Sequence, residues 1–120
     1  MEPTIESTAF GSITIDGATY GHDVVIRPSG KVRKRKKNLS KAVYGSSHTV
    51  SRAEAEFVYR DGMERLIVGT GQTGLLHLSE DATQFLQDKG CAVDLLPTPK
   101  AIGAWNKARG RVGGLFHVTC

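Results

Sequence analysis

Gly69-Thr70-Gly71-Gln72-Thr73-Gly74 is the stretch whose composition best suits chemistry. Glycines at this density let a backbone turn sharply and let another group come close to it. The Gly-x-Gly-x-x-Gly spacing is that of a dinucleotide-binding loop, and Asp94 lies twenty residues past Gly74, where a ribose-binding acid would sit. Two features oppose that reading. The third glycine should open a helix, yet the first good helix cap is Ser79, and Asp94 runs into Leu95-Leu96 as a mid-strand residue would. A tight loop therefore outweighs a cofactor fingerprint, and no cofactor is assigned. A weaker chemistry survives, in which backbone N–H groups of Gly69, Thr70, Gly71 and Gln72 hold a small anion. Thr98, at a helix N-terminus, and His48, in a Gly/Ser-rich loop, complete that candidate pocket.

A second candidate is the run Lys31-Val32-Arg33-Lys34-Arg35-Lys36-Lys37, a patch for a polyanion or an acidic partner. The chain carries a net charge of +4, but this band holds six of its sixteen basic residues and no acid. Ten basic against twelve acidic residues remain elsewhere, so the body is slightly acidic. No aromatic interleaves the band to stack bases, which ranks nucleic acid below a protein surface. A solvated strand or loop needs no partner and is the favoured account of the band.

His22, His48, His77 and His117 show no metal-ligand spacing among themselves or with Cys91 and Cys120, so no metal is assigned. A Cys-His nucleophile made from Cys120 with His48 or His117 has no spacing rule behind it.

The elements that must position these residues are legible in outline. Ile13 and Ile15 alternate with polar neighbours, and Asp16-Gly17 supplies a hairpin turn into Ala18-Thr19-Tyr20. Val24-Val25-Ile26 is a further strand ended by Pro28-Ser29-Gly30, and the segment 38–50 reads as irregular. Ser51-Arg52-Ala53-Glu54 has the form of a capping box opening a short helix. Leu66-Ile67-Val68 is an unbroken apolar run, expected of a strand buried on both faces. Ser79 caps a helix to Lys89-Gly90, and Cys91 to Leu96 is a strand. Thr98-Pro99 opens a helix with Thr98 as its cap, and Arg111 to Thr119 is a last strand in which Gly113-Gly114 signals a bulge or a close backbone contact. The back half thus alternates strand and helix, with a separate small β layer in front.

A chain of 120 residues is expected to form one domain, 1–120, with 1–9 loose. No apolar run nears the roughly 20 residues of a membrane helix. An acidic start and only two cysteines point to a reduced cytoplasmic protein, monomer or homodimer.

Three ordered motifs carry a resemblance over nearly the whole chain: Gly69-Thr70-Gly71-Gln72; Pro97-Thr98-Pro99-Lys100-Ala101 with Asn106; and Val112-Gly113-Gly114-Leu115-Phe116-His117-Val118-Thr119-Cys120. Tyr20 to Ile26 and the Ser47-His48 segment agree with them. On these residues the chain resembles the Mth-nine-three-eight-like domain family. The resemblance implies an α/β (α+β) three-layer fold: a mixed central sheet, helices on one side, and β plus α structure on the other. It implies no agreed active site; His117, Thr119 and Cys120 are carried over only as motif positions. One relative is similar to a mitochondrial assembly factor for respiratory complex I, so the resemblance favours a non-enzymatic module acting through unknown protein partners. The alternatives are a small-molecule binder or enzyme using the Gly69–Gln72 loop, then nucleic-acid binding through the basic band.

Overall fold

The computed structural model describes residues 2–120. It begins with an antiparallel meander of β1 (Ile5–Ala9), β2 (Ser12–Ile15) and β3 (Ala18–Tyr20). Asp16 and Gly17 both take positive φ between β2 and β3, the backbone a two-residue hairpin demands. Residues 1–9 were expected to be loose. Instead β1 pairs with β2, and Ile5 is buried against Ile13 and Ile15. Asn106 clamps Ile5 from a distance, accepting from its N–H at 3.0 Å and donating to its carbonyl at 2.8 Å.

β4 (Val24–Ile26) and β5 (Val32–Lys34) follow, then α1 (Asn38–Tyr44), β6 (Thr49–Val50) and α2 (Arg52–Val58). The back half runs β7 (Arg65–Thr70), β8 (His77–Leu78), α3 (Glu80–Asp88), β9 (Ala92–Leu96), α4 (Thr98–Lys107) and β10 (Val112–His117). The five-stranded central sheet has the order β5-β4-β10-β7-β9. β7 is parallel to both β10 and β9, while β4 runs antiparallel to β10 and to β5. The sheet is mixed because two front-half strands join it, so the front half is not the separate layer expected.

Alternation along each strand divides the core. Val25, Leu66, Val68 and Leu115 face one cluster with α2 and α3; Val24, Ile26, Ile67, Val112 and Phe116 face the other with α4 and the meander. This is the three-layer arrangement anticipated. Among the described residues, no helix is long and apolar enough to cross a membrane.

Gly113-Gly114 marks close approach, not a bulge, since β10 keeps regular register with β7. A Cβ on Gly113 would lie 2.6 Å from Met63 Sδ, and one on Gly114 would enter the Phe116 ring edge. The α1 helix was not expected. Lys37 gives it no side-chain cap, and Ser40 is its buried residue, so its sequence lacks both an N-terminal signal and an apolar face.

Candidate functional site

Because β7 and β9 are adjacent and parallel, the loop after β7 and the start of α4 meet at one end of the sheet. Thr98 was expected to cap α4, but Pro97 holds that position without a side-chain cap. The Thr98 hydroxyl instead accepts from Gly71 N–H at 2.9 Å and donates to the His117 carbonyl at 2.6 Å. It ties the glycine loop to β10.

The Gly71, Gln72 and Leu75 N–H groups have internal partners. Gln72 N–H donates to the Thr119 carbonyl at 2.7 Å and Leu75 N–H to the Cys120 carbonyl at 3.1 Å. The Gln72 amide reaches Thr8 Oγ1 at 3.0 Å, and the Thr73 hydroxyl donates to Cys120 at 2.9 Å. Gly71 takes φ +107°, with the Cys120 backbone lying where a side chain would be. Gly71, Gln72, Thr98, His117, Thr119 and Cys120 thus come together, and residues 119–120 fill the cradle in which an anion was expected. A concavity of about 440 Å3 lies at the other end of α4, against Trp105, Asn106 and Arg109.

Behind the loop runs a buried polar chain. His117 Nδ1 lies 2.7 Å from Asp23 Oδ2, and Val118 N–H donates to Asp23 Oδ1 at 2.8 Å. Arg35 donates to Asp23 at 2.9 Å through Nη1, to Glu54 at 2.6 Å through Nε, and to the Ser47 carbonyl at 2.7 Å. Glu54 also accepts from the Ser40 hydroxyl. Arg35 therefore leaves the basic band: its side chain is fully buried with Glu54, while Arg33, Lys34, Lys36 and Lys37 remain exposed. The capping box is correspondingly half formed. Ser51 accepts from Glu54 N–H at 3.1 Å, but Glu54 turns to Arg35, and Ser40 takes the Ser51 N–H in its place.

Burial opposes charge on Asp23, yet hydrogen bonds from His117, Val118 and Arg35 outweigh it and hold the carboxyl near 2, below its ordinary 3.8. An ionised Asp23 only accepts, so His117 Nδ1 carries the proton and Nε2 faces Thr119 Oγ1 at 3.3 Å. His48 packs edge-on against the His117 ring, with centroids 5.5 Å apart. Hydroxyl, imidazole and carboxylate stand in the order of a nucleophilic triad. However, the neighbouring Gly71 and Gln72 N–H groups are occupied and cannot stabilise an oxyanion. Both His117 nitrogens have partners, which leaves neither to activate the Cys120 thiol. The polar chain locks β4, β10 and α2 together.

Its depressed carboxyl sets an acid limit. Asp23 adds stability that is fully present above pH 3.8 and lost as pH falls through 2. The contribution is about 2 kcal/mol. Urea midpoints measured from neutral pH into this window should fall for the parent protein more than for Asp23→Asn. Parallel curves would overturn the assignment.

The other concentration of charge is on the surface beside β5. Arg27, Arg33 and Arg60 line two adjoining concavities of about 240 and 300 Å3. Lys31 and Arg111 complete the first; Lys34, Lys36 and Phe57 complete the second. Among the described residues, no acidic side chain lines either one. Arg27 lies 4.5 Å over the Phe57 ring and donates to the Phe57 and Val58 carbonyls at 2.6 and 2.9 Å. Desolvation first, then Arg60 and Arg33, pull its guanidinium down to about 10. The band at 31–37 was visible in the sequence. Arg27, Phe57, Arg60 and Arg111 were not, because only the pairing of β5 with β4 and the packing of α2 bring them beside it.

A family model described as a protein of unknown function (DUF498/DUF598) matches residues 5–117. The solved structure of MT938 is 32% identical, covers 99% of this chain and 100% of that one, and superimposes with a TM-score of 0.82. The chain belongs to the Mth938-like family, DUF498/DUF598. Another solved structure similar to this Mth938-like chain is a conserved hypothetical protein from Pyrococcus horikoshii OT3. It is 34% identical over 98% of this chain and 99% of that one, with a TM-score of 0.89. A Mth938-like domain from Bordetella pertussis shares the fold alone, at 19% identity and a TM-score of 0.62 over 97% and 85% of the two chains.

Proposed function

We propose that this Mth938-like protein is a non-enzymatic binding module that holds an acidic surface of a protein partner against the face around β5, as a factor assisting assembly of a larger complex would. The observation that supports this is the crowding of Arg27, Arg33 and Arg60 with lysines in concavities without a carboxylate. Like charges held together are destabilising, and an acidic partner relieves the repulsion. A protein fits better than nucleic acid because Phe57 is the one aromatic among the described residues of this lining and Arg27 already lies 4.5 Å over its ring. The glycine loop is not the binding element in this reading, since the N–H groups of Gly71 and Gln72 are bonded within the fold.

Titration with a short labelled polyglutamate peptide tests the proposal, with a single-stranded oligonucleotide of equal charge as competitor. The peptide should bind in preference, with an affinity that falls as salt rises. Reversing Arg33 and Arg60 to Glu should weaken it tenfold or more, at roughly 1 kcal/mol for each exposed pair lost. Lys100→Glu, at the start of α4, should leave it unchanged. Preference for the oligonucleotide, or indifference to the double reversal, would sink the reading.

A further inference from the structure

β5 is the terminal strand of the central sheet, and β4 is its strand partner. Its register shows which backbone groups are in use. Arg27 N–H donates to the Lys31 carbonyl and Arg35 N–H to the Asp23 carbonyl, which makes Lys31, Arg33 and Arg35 the residues bonded to β4. By the alternation of an antiparallel ladder, the N–H and C=O groups of Val32 and Lys34 point the other way, out of the sheet edge. These groups, without a partner among the described residues, lie beside the cationic concavities, and Arg33 and Lys34 are exposed.

Such an edge selects its partner. Against a second copy of this chain, Lys31, Arg33 and Lys34 would meet their own like charges, so the edge is protected from self-pairing as edge lysines protect other sheets. Against a strand rich in Asp or Glu the same side chains attract. We propose that β5 accepts an extended acidic segment of a partner protein as a sixth strand of the central sheet. The backbone groups of Val32 and Lys34 would bond the segment's main chain, while its carboxylates meet the exposed Arg33 and Arg60. Main-chain bonds provide affinity and register in strand addition, and the flanking side chains provide selectivity. This inference rests on the binding reading above and goes further by fixing the partner's conformation.

The probe is an acetylated peptide of alternating Glu and Val, followed by fluorescence anisotropy with the full chain. Two N-methylated versions carry the methyl groups on residues of opposite parity. In a strand, one parity has its N–H groups facing β5 and the other has them facing solvent. One version should therefore bind about tenfold more weakly, through loss of two main-chain bonds, and the other about as well as the parent peptide. Lys34→Pro, which removes an outward N–H without touching the β4 ladder, should weaken the parent peptide further than Lys34→Ala, which removes the same charge and keeps the N–H. Unchanged melting of both variants would show the fold intact. If the two N-methylated peptides bind alike, charge alone holds them and strand addition is overturned while the acidic-partner reading stands. If no version binds, both fall.

Discussion

Gly71→Ala is expected to cost about 4 kcal/mol, the sum of left-handed backbone strain and an overpacked contact. The glycine sits at φ +107°, where L side chains are rarely found. A Cβ there would lie 2.3 Å from the Cys120 carbonyl carbon, 2.5 Å from its oxygen and 2.9 Å from His117 Cδ2. Backbone cannot swing aside as a flexible side chain would, so the variant must break the hydrogen bonds holding residues 119–120 to the loop. For a domain of this size the melting temperature should fall by roughly 15 °C. Gly103→Ala is the control: its added methyl meets nothing within 4 Å, and at this exposed position of α4 it should be neutral or slightly stabilising. Equal melting of the two variants would remove the claim that the loop is closed around the chain.

Glu54→Ala is the second large effect, because it takes from the buried Arg35 guanidinium one of its two carboxylate partners. Both side chains are fully buried, and Glu54 receives two of the guanidinium's hydrogen bonds as well as the Ser40 hydroxyl. Although burial works against it, pairing with Glu54 and Asp23 raises the Arg35 pKa. Removing Glu54 leaves Asp23 alone to compensate the buried guanidinium, so the loss falls at the lower end of the roughly 3–5 kcal/mol that breaking a buried pair costs. Replacing both by apolar residues, as in Arg35→Met with Glu54→Leu, should cost less than the two single changes added together. Urea unfolding of the four proteins in a double-mutant cycle measures this. A Glu54→Ala loss below about 1 kcal/mol, the range of an exposed ion pair, would show that the pair does not hold α2 to the sheet.

These two sites show what the sequence made legible. Periodicity and turn residues located β7, β9, α3 and the Asp16-Gly17 hairpin, because those signals are local and the apolar faces agree with them. Gly71 was recognisable as a special backbone position, but the group approaching it was not, since Cys120 reaches the loop only through the parallel pairing of β10 with β7. Glu54 looked like the reciprocal half of a capping box, and Arg35 like one more cation in a band. Their pairing crosses nineteen positions and depends on β5 lying beside β4, which places Arg35 next to Asp23. In the band itself, a strand after the Pro28-Ser29-Gly30 turn would have put Arg33 and Arg35 on one face. That alternation was the missed signal. α1 carried no signal of its own, because its place is set by Ser40 in the polar network and not by an apolar stripe.

The position of β10 in the sheet also bears on how the molecule forms. It lies between β4 and β7, and all the other strands precede it in sequence. Until β10 docks, the β4–β5 hairpin and the β7–β9 pair are separate pieces, each with a bare apolar edge. Leu115 must find Val25 and Val68 across long stretches of chain, so the contacts that join the sheet have high sequence separation. Folding should therefore be slow for the chain length, limited by closure of those loops. A chain still being synthesised would expose two sticky strands until its last strand emerged, and that interval is when it is most open to aggregation.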